Sequence, residues 1–62
     1  MSIRERVEQL RELNVKLSKA MDQYELELSE FILKQSNDSA TRLDLAMAEV
    51  KSIQAEIFRN IV

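Results

Sequence analysis

KQSNDSAT, residues 34–41, is the one stretch of this 62-residue chain in which turn-forming side chains cluster. Ser, Asn and Asp offer the backbone local hydrogen bonds that compete with a helical ladder, so they gather at caps and turns. Elsewhere turn chemistry is scarce, because the chain has no glycine and no proline. The stretch predicts a helix stop near Asn37, a residue that tolerates the left-handed conformation. Asp38 or Ser39 then caps a second helix. A single short reversal makes the two helices antiparallel neighbours.

Upstream of the turn, Ile3, Val7, Leu10, Asn14, Leu17, Met21, Tyr24, Leu28 and Phe31 follow one another at alternating steps of four and three. That is a heptad stripe with one polar member. Ser2 and Glu5 have capping-box spacing, so helix formation can start almost at the first residue. Downstream, Leu43, Ala46, Met47, Val50, Ile53, Ile57 and Ile61 form a second helical stripe. The expected fold is all-α and a single domain over residues 1–62. It is an antiparallel, coiled-coil-like two-helix hairpin, with helix 1 at about 3–35, a turn at about 36–38 and helix 2 at about 39–61.

Folding the hairpin at the turn brings Asn60 level with Asn14. Two carboxamides at one level can satisfy each other and fix the register of a seam, whereas one buried alone costs about 1–3 kcal/mol. Asn14 and Asn60 are therefore the expected register pair. Helix 1 extends past this level by roughly ten residues at 1.5 Å rise each, leaving Ile3, Val7 and Leu10 without an intrachain partner. Burial of each would contribute about 1.5–3 kcal/mol. Leu13, Val15, Leu26, Ile32, Leu33, Leu45, Phe58 and Val62 also fall off the stripes. At 45% hydrophobic content, the chain carries more apolar surface than a bare hairpin hides, which marks an interaction surface. Ile3, Val7, Leu10, Leu13, Leu26, Leu33 and Phe58 are the expected partner-binding residues. The hairpin is expected to complete a bundle with a partner or a second copy.

Composition narrows the chemistry. Cysteine and histidine are absent, which removes disulfides, thiolate and imidazole metal sites and the usual neutral-pH acid–base group. No oxygen-rich calcium loop is present. Asp22, Glu25, Glu27 and Glu30 lie in a segment with no base, but a hairpin offers no cleft to set paired carboxylates apart in pKa. No enzyme, cofactor or metal is expected. Residues 1–20 hold five bases and three acids, so helix 1 is positive at its start and negative at its end, a polarity able to orient a partner. Arg4, Arg6 and Arg11 alternate with Glu5, Glu8 and Glu12, which leaves no basic stripe for nucleic acid or a membrane surface. No apolar run approaches the length of a membrane span, and MSIRERVEQ does not read as a secretory signal.

With these patterns laid out, LSKAMDQYELELSEF, the turn QSNDS and LAMAEVKSIQAEIFRNI together resemble the small YscE-type co-chaperones of bacterial type III secretion. The resemblance covers most of the chain. It implies a cytoplasmic bacterial protein that joins a larger helical chaperone and holds a needle subunit unpolymerised. The alternative from the pattern alone is a homodimeric four-helix bundle with an oligomerisation or regulatory role.

Overall fold

A computed structural model describes residues Ser2 to Ile61; Val62, one of the off-stripe apolar residues, lies outside the described residues. Two helices account for nearly all of it: α1 at Ile3–Lys34 and α2 at Asn37–Ile61. They pack side by side in a rod of 48 × 15 × 11 Å. The all-α hairpin expected from the two stripes is the observed architecture.

Each helix is preceded by a capping serine. The Ser2 Oγ accepts the Glu5 backbone N–H at 3.2 Å, and the Ser2 carbonyl accepts the Arg6 N–H at 3.1 Å, as an N-cap residue does. α1 ends one residue earlier than expected. Gln35, not Asn37, takes the left-handed conformation, at φ 45° and ψ 43°, and its N–H bonds the Phe31 carbonyl at 2.7 Å. α2 is capped by Ser36 rather than by Asp38 or Ser39. The Ser36 Oγ accepts the Ser39 N–H at 3.2 Å, and the Ser39 Oγ accepts the Ser36 N–H at 3.0 Å. This is a reciprocal capping box in which a serine fills the place usually held by Glu or Gln. Ser39 is only 1% exposed, so a longer side chain has no room there. The turn therefore shrinks to Gln35 and Ser36, and Asn37 becomes the first residue of α2.

The seam is rotated from the expected one. One column of α1 lies in the seam as expected, with Leu10, Leu17, Tyr24 and Phe31 half-buried. Its companion is Leu13, Ala20 and Glu27, all buried, in place of Asn14, Met21 and Leu28. On α2 the seam columns are Leu43, Val50 and Ile57, half-buried, and Ser39, Ala46, Ile53 and Asn60, of which the first three are buried. The deeper columns of both helices carry small residues at Ala20, Ser39 and Ala46. Small side chains allow close helix approach, and the bulkier Leu17, Tyr24, Val50 and Ile57 form the half-buried columns beside them. The result is a hairpin with two unlike sides.

A polar pair closes the deeper side. Glu27 is 7% exposed, and its Oε2 lies 3.2 Å from the Arg42 Nε. The Arg42 guanidinium also reaches the Glu30 carboxylate at 3.4 Å. The Gln23 amide donates to the Glu27 Oε1 at 3.3 Å. The acidic segment of α1 thus has a base after all, supplied across the hairpin by α2.

Candidate partner-binding face

The two sides of the rod differ in chemistry because the helices present different columns to each. On the closed side, Lys16, Lys19, Gln23, Glu27, Arg42, Glu49 and the exposed Leu45 line shallow grooves over Ala20, Ala46 and Ile53. Toward the open end of the hairpin, Gln9, Glu12, Lys16, Glu56 and Asn60 continue the same polar side over Leu13. Charges of both signs lie on this side, and the contacts of Arg42 with Glu27 and Glu30 tie the two helices together across it.

On the opposite side, Tyr24, Met47 and Val50 line a groove whose polar members are only Lys51 and Gln54. Next to the seam on this side run two further columns: Val7, Asn14, Met21 and Leu28 on α1, and Ala40, Met47, Gln54 and Ile61 on α2. Met21 and Ile61 are exposed, and Leu28 and Met47 half-buried. An apolar strip therefore runs along this side, interrupted by Asn14 and Gln54, and none of the described residues covers it. A strip of this kind is the type of surface that helical bundles bury.

The expected partner-binding residues separate on the structure. Ile3, at 81% exposure, and Val7, at 42%, lie on the α1 overhang, where the heptad column containing Val7 continues the open strip. Leu10 is half-buried at its inner end. Leu13 does not belong with them: it is buried at 7% exposure in the hairpin seam, where it is intrachain core. Leu26, Leu33 and Phe58 are exposed, but heptad position puts Leu26 and Leu33 on the outer surface of α1, turned away from the open strip. Phe58 flanks the strip on α2. The structure does not join Asn14 to Asn60. The Asn60 amide donates to the Glu56 carbonyl of its own helix at 2.8 Å, and Asn14 is exposed in the open-side column. The rotation of the seam is the cause, since it puts Leu13 at the level and side where Asn14 was expected.

Sequence reasoning missed Met21 as an exposed residue because it assigned it to the seam; Leu28 and Met47, assigned to the seam with it, are half-buried at its open edge. It also missed Glu27 and Arg42 as a seam pair. Among the described residues no group of three carboxylates gathers as a metal site, and no helix is long and apolar enough to cross a membrane. No protein family, curated protein or solved structure matches the chain.

Proposed function

We propose that this chain is a non-enzymatic protein-binding module, half of a helical bundle that another helical chain completes. The observation that carries this reading is the open strip of Val7, Met21, Leu28, Met47 and Ile61 beside the Tyr24–Val50 groove. Apolar side chains at helical spacing on an uncovered side are what a helix-in-groove partner engages. The resemblance to YscE-type co-chaperones gives the partner its name. In that role the hairpin sits in the bacterial cytoplasm and lays its strip on a larger helical chaperone. The pair then holds a secretion needle subunit unpolymerised. The hairpin alone is too slight to sequester a polymerising subunit, so its part is to cover and stabilise the chaperone.

The test is reconstitution of the chain with the helical chaperone and needle subunit of its host. A stable complex that keeps the needle subunit monomeric, and that dissociates when Met21 and Met47 are both changed to Glu, supports the reading. A needle subunit that polymerises at the same rate with and without the hairpin overturns it.

A second reading, self-association into a four-helix bundle, is favoured by the charge layout along the rim of the strip. Arg4 and Arg11 are exposed on the α1 rim near the open end, and Glu25 and Asp44 are exposed near the turn. With Lys51 between them on the α2 rim, the α1 rim runs from positive at the open end to negative near the turn.

A further inference from the structure

The rod has more surface than its mass requires. Its accessible area is 5095 Å² for 7.2 kDa, whereas a compact monomer of that mass exposes about 4,100 Å². The excess of about 1,000 Å² is close to the ~800 Å² that each partner contributes to an interface of ordinary size. One rod-length interface would absorb it.

We infer that the open strip is covered by a second copy of this chain, docked antiparallel with the two α1 helices overlapping along their length, so that the α1 overhang of each copy lies in the turn-end groove of the other. This rests on reading the hairpin as a binding module and specifies which partner covers the strip when no larger one is present. Two features fix the arrangement. The first is shape. α1 has 32 residues and α2 has 25, so one end of the rod is a single helix carrying exposed Ile3 and Val7. The other end is a helix pair whose Leu28, Phe31, Leu43 and Met47 are only half-buried. A lone helix and an uncovered helix pair complete a three-helix cross-section at each end, and the two-fold axis between them makes both ends equivalent.

The second feature is charge. With two α1 helices running antiparallel across the interface, Arg11 of one copy can stand level with Glu25 of the other. In that register Val7 is level with Leu28 to within about one residue rise, ~1.5 Å. The apolar match and the ionic match therefore occur together. A face-to-face dimer with both turns at the same end leaves the overhangs uncovered and sets Glu25 close to Asp44 of the second copy. Like charges at one end disfavour that arrangement.

The chain has no cysteine, which allows a direct test by disulfide trapping of the full chain. Val7 and Leu28 lie on the same helix, separated by about 31 Å at 1.5 Å per residue, far beyond the reach of a disulfide. Any bridge between them must be intermolecular. The double variant Val7→Cys, Leu28→Cys in a glutathione buffer is expected to close into a covalent dimer at least tenfold faster than either single variant. A companion measurement does not depend on packing. Arg11→Glu is expected to raise the dimer Kd about tenfold at low salt, and Arg11→Glu combined with Glu25→Arg to restore it.

A dimer that forms by sedimentation yet gives no Val7–Leu28 bridge, with no rescue by the charge swap, overturns the antiparallel arrangement. A chain that is monomeric at all concentrations overturns self-pairing altogether. Either result is separable from failure of the chaperone reading, which is decided by whether the needle subunit stays monomeric.

Discussion

The Arg42 Nε lies 3.2 Å from the Glu27 Oε2, and this pair lets a carboxylate occupy the seam between two helices. Glu27 shares its column with Leu13 and Ala20. A glutamate there without a counter-ion would carry the desolvation penalty of an unpaired buried charge. Arg42 comes from α2 about one helical turn nearer the hairpin bend than Ala46, and its long stem covers that distance. Its side chain remains 45% exposed, so the pair is only partly desolvated.

Arg42→Ala is expected to destabilise the hairpin by about 1–2 kcal/mol, since it strands the Glu27 carboxylate. Solvent around Arg42 keeps the loss below the 3–5 kcal/mol typical of a fully buried pair. Glu27→Leu should stay within about 1 kcal/mol of the parent, because an apolar side chain suits the column. Urea midpoints at one fixed protein concentration compare the two. Equal losses for both variants would show that the pair does not organise the seam.

At the turn, the buried serine box sets a different expectation. Ser36→Ala removes the acceptor of the Ser39 N–H and should cost about 1 kcal/mol, or about 4–8 °C in Tm for a domain of this size. Ser39→Glu should also lower the Tm, although Glu is the usual residue at that place in a capping box. The reason is the 1% exposure of Ser39. Thermal melts followed by circular dichroism read both, and a Ser39→Glu protein as stable as the parent would contradict the buried box.

Gln35 is the single residue of positive φ among the described residues. Its Cβ is unfavourable in that region, so Gln35→Gly should stabilise the hairpin by about 1 kcal/mol. Asn37→Gly should give no gain, because Asn37 is helical and glycine is a poor helix former. A gain at residue 37 and none at residue 35 would move the helix stop back to Asn37.

Asn14 sits in the open strip between Val7 and Met21. Asn14→Leu should tighten association by up to about tenfold, the effect of burying one more apolar side chain at about 1.5 kcal/mol. The melt of the dilute, dissociated chain should shift by no more than about 0.5 kcal/mol. A large change in that melt with unchanged association would place Asn14 in the seam.

The hairpin itself was legible from two heptad stripes and one polar turn, and Ser2 was legible as a cap. The seam was only half legible, for a definite reason. The apolar surface of α1 is three columns wide: Leu10 to Phe31 in the middle, with Leu13 and Ala20 on one side and Val7, Met21 and Leu28 on the other. Counting by hydrophobicity selects the second flank, whose only polar member is Asn14, over the first, which contains Glu27. The structure selects the first, because Ala20 and Ala46 allow close approach and Arg42 pairs with Glu27. A search for bases one turn from the facing position of each acid would have found Arg42. The helix stop was misplaced because Asn37 has the better left-handed propensity, while the mutual Ser36–Ser39 bonds draw Asn37 into α2.

Sedimentation equilibrium on two surface variants tests the role of the open strip most directly. Met21→Glu with Met47→Glu places charge on the strip, whereas Leu26→Glu with Leu45→Glu places the same charge on apolar residues outside it. The parent and the Leu26, Leu45 variant should associate with the same Kd, and the Met21, Met47 variant should sediment as a helical monomer at every concentration. If the Met21, Met47 variant associates as tightly as the parent, the strip is not the surface through which this protein binds.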